Sequence, residues 1–477
     1  MLTFFVCLAT LIASYFLYGG ALSRIAKLDK SADVPSKSMY DGVDYIPLPR
    51  WRIFLIQLLN IAGTGPIFGA ILGACYGPVA FLWITLGGIF MGAMHDFFAG
   101  VISLRNGGKS LPETIGKYLG RGMRGFSLVI IPILMVLVGG VFIVTPSKIL
   151  ASMCDIPYLA WVAIIIVYYF VATVMPVDKI IGKIYPLFGA ALIFMALAMF
   201  GVILFGGYQL PELTAFDNMH YNAEGLPIMP TLFISIACGA ISGFHATQSP
   251  LMARCMTSEM QTRPIFFGAM IAESIIALIW AAIAMAFFGG IEGLNGWMSA
   301  NGNDAGLAVS TISVTTLGIV GSILALLGVV AAPITSGDTA FRSARLIVAD
   351  MLNIDQQPIY KRLLVSAPLF AIGITIAFID FDVIWRYFAW SNQALSVLTL
   401  WMITAWLMRR RSRFSLLAMI PAIIMTYICT SFVFVSNQFI GMGGITAAYV
   451  YGGAVTAIVA GLIIIKITRD VKHGAEI

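Results

Sequence analysis

Charge is scarce in this sequence. Only 10% of its 477 residues are Asp, Glu, Lys or Arg, whereas 60% are hydrophobic and the mean hydropathy is +0.95. Soluble globular chains carry about 25% charged residues, so a soluble fold is excluded. Histidine is rarer still: four residues in no ligand spacing, which argues against a metal-dependent enzyme. No two of Cys7, Cys75, Cys154, Cys238, Cys255 and Cys429 stand close enough for a zinc or redox pair. Five lie in or beside apolar segments, where a free thiol behaves as a small hydrophobe. Only Cys154 falls in an expected outside loop, so no structural disulfide is expected. The net charge is +6, but the basic residues are dispersed and form no nucleic-acid patch.

What the sequence has instead is long apolar blocks, enough to cross a bilayer repeatedly. Thirteen spans are expected, at 2–22, 53–75, 78–104, 126–145, 158–175, 184–206, 230–248, 265–289, 312–333, 363–380, 383–408, 414–435 and 444–466. The first lacks a basic start and a cleavage site, and reads as an uncleaved helix rather than a signal peptide. Lys and Arg concentrate in every second loop: 23–52, 105–125, Lys179 and Lys183, Arg254 and Arg263, 342–362, 409–413 and the tail. Only Lys148 and Arg386 fall elsewhere, and loops 207–229, 290–311 and 436–443 hold no Lys or Arg. The positive-inside rule then puts the N-terminus outside and the C-terminus in the cytoplasm. Segment 336–352 is amphipathic and fits either the membrane interface or a short helix within the bundle.

Two spans are interrupted. Span two carries Gly63-Thr64-Gly65-Pro66 at its middle. Pro66 removes a donor and suits the first turn of a new half-helix that Thr64 or Gly65 could cap. Free N–H groups there would have to line a cavity; close helix packing through small residues is the alternative. Span seven is interrupted at Gly239, Ser242, Gly243 and His245. Spans two to six and seven to eleven form two units of five, and an odd number inverts the second. Interrupted helices opening inverted repeats are a transporter pattern, with the site at the breaks.

Ionisable residues inside spans are costly and face cavities or partners. His95 and Asp96 lie in span three, His245 in span seven, Glu273 in span eight, and Arg386 with Asn392 and Gln393 in span eleven. His245 reads either as a charge switch or as a hydrogen-bonded bundle histidine. Glu273 reads as a proton site or the partner of a buried base, and His95-Asp96 as a structural anchor of the cytoplasmic half. Span nine ends in Ala332-Pro333-Ile334-Thr335-Ser336-Gly337-Asp338. Its hydroxyls, freed carbonyls and carboxylate suit a small hard cation. A helix end followed by a Ser/Asp cap, with an Asp338–Arg342 ion pair, fits equally.

Several stretches resemble the carbon starvation protein A (CstA) family: Ile61 to Pro66 with Gly69, GAMHDFFAGVISLRNGGKSL from Gly92 to Leu111, DKIIGKIYPLFGA at 178–190, SGFHATQSP at 242–250, TSGDTAFRSARLI at 335–347 and WRYFAWSNQALS at 385–396. The resemblance covers most of the chain, in the family's order, and looks like a short-form member. It implies a bacterial inner-membrane importer of small nutrients, pyruvate or peptides, during carbon starvation. It also implies the amino acid–polyamine–organocation superfamily, with its LeuT-like five-plus-five inverted repeat. In that fold a sodium site lies between the first broken helix and core helix eight, here span nine, which makes Ala332, Thr335 and Ser336 look like Na⁺ ligands. Longer members usually have paired histidines before the Ile-Ala-Gly motif; this chain has Ile56-Gln57, so a proton role for those histidines does not carry over.

The resulting expectation is an all-helical, cation-coupled symporter and not an enzyme. Residues 1–52 hold the N-terminal helix and a cytoplasmic loop, 53–206 and 207–408 the two five-helix repeats, and 409–477 two C-terminal helices and the tail. The substrate would meet Gly63, Thr64, Gly65 and Pro66, together with Ser242, Gly243, His245, Asn392 and Gln393. Ala332, Thr335, Ser336, Asp338 and Glu273 would serve the coupling ion, Na⁺ or H⁺. Apart from that ion no cofactor is expected, and the partners are the small-molecule substrate and the lipid bilayer. A channel, a uniporter or an amino-acid transporter of the same fold remains open, as do substrate, ion and oligomeric state.

Overall fold

Backbone inside a hydrocarbon layer must satisfy its own N–H and C=O groups, and this chain does so with helices. The computed structural model describes residues 1–42, 44–153, 155–175, 185–379, 381–442 and 444–472, and no strand occurs among them. Cys154, Lys179 and Lys183, and with the last two the 178–184 part of one family-like stretch, lie outside the described residues.

The helices are α1 (Leu2–Ala26), α2 (Arg50–Ile61), α3 (Gly65–Ala74), α4 (Val79–Arg105), α5 (Leu111–Leu119), α6 (Arg121–Met153), α7 (Tyr158–Val174) and α8 (Tyr185–Phe205). There follow α9 (Ile228–Leu232 continuing through Phe233–Ser235), α10 (Gly243–Ala253), α11 (Glu259–Phe287), α12 (Ile291–Ala300), α13 (Ala305–Leu324), α14 (Ala331–Leu352), α15 (Ile359–Ile376), α16 (Phe381–Arg409), α17 (Leu416–Val435) and α18 (Ile445–Lys472). Among the described residues eight are long and apolar enough to cross a membrane, or nine if the bent pair α2–α3 is one span.

Burial separates centre from rim. The most apolar windows of α4 and α11 are 72% and 83% buried, those of α1 and α18 only 28% and 22%. The glycine-rich and polar helices α3, α4, α10 and α14 therefore fill the middle, and helices that are apolar all round take the lipid-facing rim. Helix α14 runs along α6, and α10 packs on α4 and α16.

Loop contacts sort the chain into two faces. On one, Arg105 pairs with Glu259 at 2.5 Å and donates to the carbonyls of Ala26 and Lys27. Arg254 donates to Gly108, Arg409 to Tyr118 and Lys466 to Leu119. On the other, the N-terminal amine pairs with Glu212, and Asn295 donates to Cys75 and Met219.

Span nine departs from expectation. The sequence ends it at 333; the structure carries helix on through a widened π-helical turn, Ala325–Val330, into α14. Pro333 falls in the first turn of α14, where a missing N–H costs little. There is accordingly neither a helix end nor a Ser/Asp cap at 336–338. Segment 336–352 lies within the bundle over Ser336 to Arg345, arginines included, and emerges at Asp350 to Leu352. The kink sits earlier, at Gly318, whose φ of 57° bends α13 in a conformation that a side chain would disfavour.

Candidate functional site

The first interruption is real. Helices α2 and α3 meet at 55°, with Ala62, Gly63 and Thr64 between them. Pro66 stands in the first turn of α3, as its missing N–H predicts. Thr64 precedes α3 but caps nothing; its Oγ1 is buried without a partner. The Gly63 N–H turns back to the Ile61 carbonyl at 3.0 Å, so of the expected anion-binding groups only the Thr64 and Gly65 N–H groups stay without a backbone acceptor. The packing alternative is also realised. A Cβ on Gly65 would lie 2.2 Å from Cys238 Sγ, one on Gly69 2.7 Å from the Ser235 carbonyl, and one on Gly73 2.3 Å from Ile236. Every fourth residue of α3 thus admits the second interrupted span, its backbone at Gly69 and its side chains at Gly65 and Gly73.

That second interruption runs over 236–242, between α9 and α10. It begins before the glycines, and His245 is already helical. The exposed backbone groups are met from elsewhere. Trp83 of α4 donates to the Ile236 carbonyl at 3.0 Å. Asn392 of α16 accepts from Ser242 Oγ at 2.9 Å and from the Phe244 N–H at 2.8 Å, while its Nδ2 points at Cys238 Sγ, 3.3 Å away. Asn392 thus caps α10 from another helix. Gly243 packs directly on the Leu395–Ser396 backbone, and Gln393 donates to the Phe233 carbonyl, its oxygen buried and unpartnered. Asn392→Ala is expected to lower stability by about 1–3 kcal/mol, the cost of unsatisfied buried groups. Thermal unfolding in detergent measures it.

Next to this break four ionisable side chains with no exposure meet. Asp96 takes His95 Nδ1 on one oxygen and His245 Nδ1 on the other, each at 2.8 Å. His245 Nε2 lies 3.4 Å from Glu273 Oε2, and neither Glu273 oxygen has a hydrogen-bond partner. His95-Asp96 is therefore part of one cluster joining α4, α10 and α11.

Thr335 and Ser336 lie within α14 against the first break. Thr335 Oγ1 reaches the Ala331 and Ala332 carbonyls at 3.0 and 2.9 Å. Ser336 Oγ stands 3.1 Å from both the Leu59 and the Asn60 carbonyl. Asp338 accepts from Tyr185 at 2.8 Å, while Arg342 turns away to the Ala172 carbonyl at 2.9 Å. The four-residue spacing suggests an ion pair, but burial gives each side chain a neutral partner on another helix. Asn60 and Gln57 add two buried amides with no partner on either atom. Sequence reading passed over Asn60, Tyr185, Cys238 and the clustering of Asp96; the signal for Asn60 was two amides three residues apart in an apolar span.

A cavity of about 300 Å³ opens beyond the first break, lined by Phe68, Tyr76, His220, Ser235, Trp385 and Arg386 among others. Burial lowers His220 to about 4, so it is neutral at pH 7. Arg386 is the basic residue in this lining. None of Gly63, Thr64, Gly65, Pro66, Ser242, Gly243, His245, Asn392 and Gln393 lines the cavity.

The chain matches the carbon starvation protein CstA family over residues 1–155 and 130–322. It belongs to the CstA family. A Haemophilus influenzae protein described as an uncharacterized membrane protein is 41% identical over 63% of this chain and 95% of its own length. The peptide transporter CstA of Campylobacter jejuni is 26% identical, over 81% of this chain and 62% of its own. The pyruvate/proton symporter BtsT of Escherichia coli is 26% identical over 64% and 50%. The match therefore spans half to about 60% of these transporters. Among solved structures, a manganese transporter of Eremococcus coleocola shares the fold: TM-score 0.54, 13% identity, 91% of this chain and 99% of that one covered. This CstA family member is thus a multi-pass membrane protein whose relatives include named transporters.

Proposed function

We propose that this CstA family member is a cation-coupled importer of a small carboxylate, pyruvate or a short peptide. The observation that carries this reading is the meeting of two interrupted helices in the middle of the bundle, Gly65 of one against Cys238 of the other. Substrate enters by the Arg386 cavity and descends to the Thr64 and Gly65 N–H groups. A helix N-terminus stabilises an anion by about 0.3–2 kcal/mol, too little to offset burial of a carboxylate. A co-bound cation supplies the rest, which is the physical reason for coupling. The Ser336, Leu59 and Asn60 oxygens suit Na⁺ as hard donors. Proton coupling is the second reading, favoured by the name of the Escherichia coli relative.

The test is uptake of pyruvate, short peptides and amino acids into proteoliposomes, with sodium and proton gradients imposed separately. Gradient-driven, saturable uptake that survives with sodium alone supports the reading. Uptake without saturation means a channel, and uptake indifferent to both gradients a uniporter.

The thirteen-span, inverted-repeat topology belongs to the same proposal. Helices α7 and α16, the broken α9–α10 span and the α13–α14 span complete the nine. The clustering of basic loops on one face supports an outside N-terminus and a cytoplasmic C-terminus. Cysteines placed in 207–229 and 436–443, on a background without the native cysteines, are expected to react with an impermeant thiol reagent from outside. Labelling at 409–413 from that side would reverse the orientation.

A further inference from the structure

The geometry points to a binding site for a borderline-soft divalent metal ion, of the Zn²⁺ or Co²⁺ class, formed by Cys238, His245 and Glu273. No sequence spacing announces it: the thiol sits inside the second break, the imidazole in the first turn of α10 and the carboxylate on α11. Yet one ligand atom of each lies within 4.8 Å of the other two, and all three residues are buried.

Three features separate this cluster from a chance meeting of polar groups. First, the donor atoms of two of the three residues are unspent, while Cys238 Sγ holds only sulfur contacts to Ser242 Oγ and Asn392 Nδ2. His245 Nε2 and both Glu273 oxygens are buried with no hydrogen-bond partner, an arrangement that a folded protein rarely leaves without a water or ion. Second, the separation suits the ion. Two ligands about 2.0–2.1 Å from one tetrahedral metal stand roughly 3.3 Å apart, and Nε2 and Oε2 are 3.4 Å apart. Third, the ligands are oriented from behind. Asp96 holds His245 Nδ1 at 2.8 Å, which presents Nε2 with its lone pair to the centre, the carboxylate–histidine arrangement that supports metal-bound imidazoles. Asn392 donates to Cys238 Sγ at 3.3 Å and thereby favours a thiolate. Imidazole and thiolate select against Mg²⁺ and Ca²⁺, and three protein ligands leave a fourth position open. This goes beyond the transport reading and stands or falls independently of it.

The test uses purified, detergent-solubilised full-length protein, stripped with a chelator and titrated with Co²⁺. Expected are visible ligand-field bands of a four-coordinate ion and a near-ultraviolet thiolate-to-cobalt charge-transfer band, both abolished by stoichiometric Zn²⁺. Cys238→Ser removes the charge-transfer band, whereas Cys75→Ser and Cys255→Ser leave it. A chain in which Cys238 is the one remaining cysteine keeps it, which guards against misfolding of the single variant. Asp96→Asn weakens Co²⁺ binding roughly 10–100-fold. A wild-type protein without the charge-transfer band, or a band that survives Cys238→Ser, overturns the proposal.

Discussion

Gly65→Leu is expected to abolish uptake while leaving the protein in the membrane at normal level. Even the first carbon of the new side chain would lie 2.2 Å from Cys238 Sγ and 2.5 Å from its Cβ. Neither atom is the free end of a long side chain, so the two interrupted helices must part. Overpacking of this kind costs about 1–3 kcal/mol, and 1.4 kcal/mol is already about tenfold in an equilibrium. The cost falls where the backbone donors of the first break are held, so transport suffers before folding does. Insertion does not suffer, because Leu raises the hydropathy of the span. Gly65→Ala should give a smaller loss in the same direction. Proteoliposome uptake, normalised to reconstituted protein, reads both. Unaltered uptake by the leucine variant would mean that this contact is not maintained during transport.

The second large effect is expected from replacing Thr335 and Ser336 together by Ala. Ser336 Oγ and the Leu59 and Asn60 carbonyls bring three oxygens together, at 3.1 Å from the hydroxyl, with a single hydroxyl proton among them. On the proposed coupling, Na⁺ would take the place of that proton among the three oxygens. Removing the hydroxyls should raise the sodium concentration for half-maximal uptake on the order of tenfold or more, the shift that 1.4 kcal/mol produces. Thermal stability should change much less. Because coupling is reciprocal, saturating sodium in the wild type should tighten substrate binding by the factor that substrate tightens sodium binding, and the double variant should lose both. Substrate affinity independent of sodium in the wild type would remove this mechanism.

What the sequence made legible was whatever depends on one segment at a time. Apolar blocks gave the helices, because length and hydropathy alone decide whether a segment suits a bilayer. Gly63-Thr64-Gly65-Pro66 gave the first break, because Pro and Gly act on their own backbone. The alternation of Lys and Arg gave a sorting of loops that agrees with the contacts of Arg105, Arg254 and Arg409 on one face. The site was less legible because its chemistry is made by pairs far apart in the chain. Asp96 and His245 are 149 residues apart, and each alone reads as an isolated buried group. Tyr185, not Arg342, is the partner of Asp338, since local spacing does not say which way a buried arginine turns. The end of span nine was misjudged for a related reason: a proline near polar residues looks like a terminus, and only the widened turn before it shows a helix restarting.

The reliance of α10 on Asn392 has a consequence for synthesis. All eleven residues of α10 are buried and its hydropathy is modest, so it depends on surrounding protein rather than on lipid. Asp96, which holds His245 in the first turn of α10, has already left the ribosome when that helix emerges. Its cap has not. The Ser242 hydroxyl and the Phe244 N–H wait for an asparagine made about 150 residues later, after α11 to α15 have been translated. The second break is thus among the last parts of the bundle to be completed, and the nascent chain must shelter unsatisfied backbone until α16 arrives.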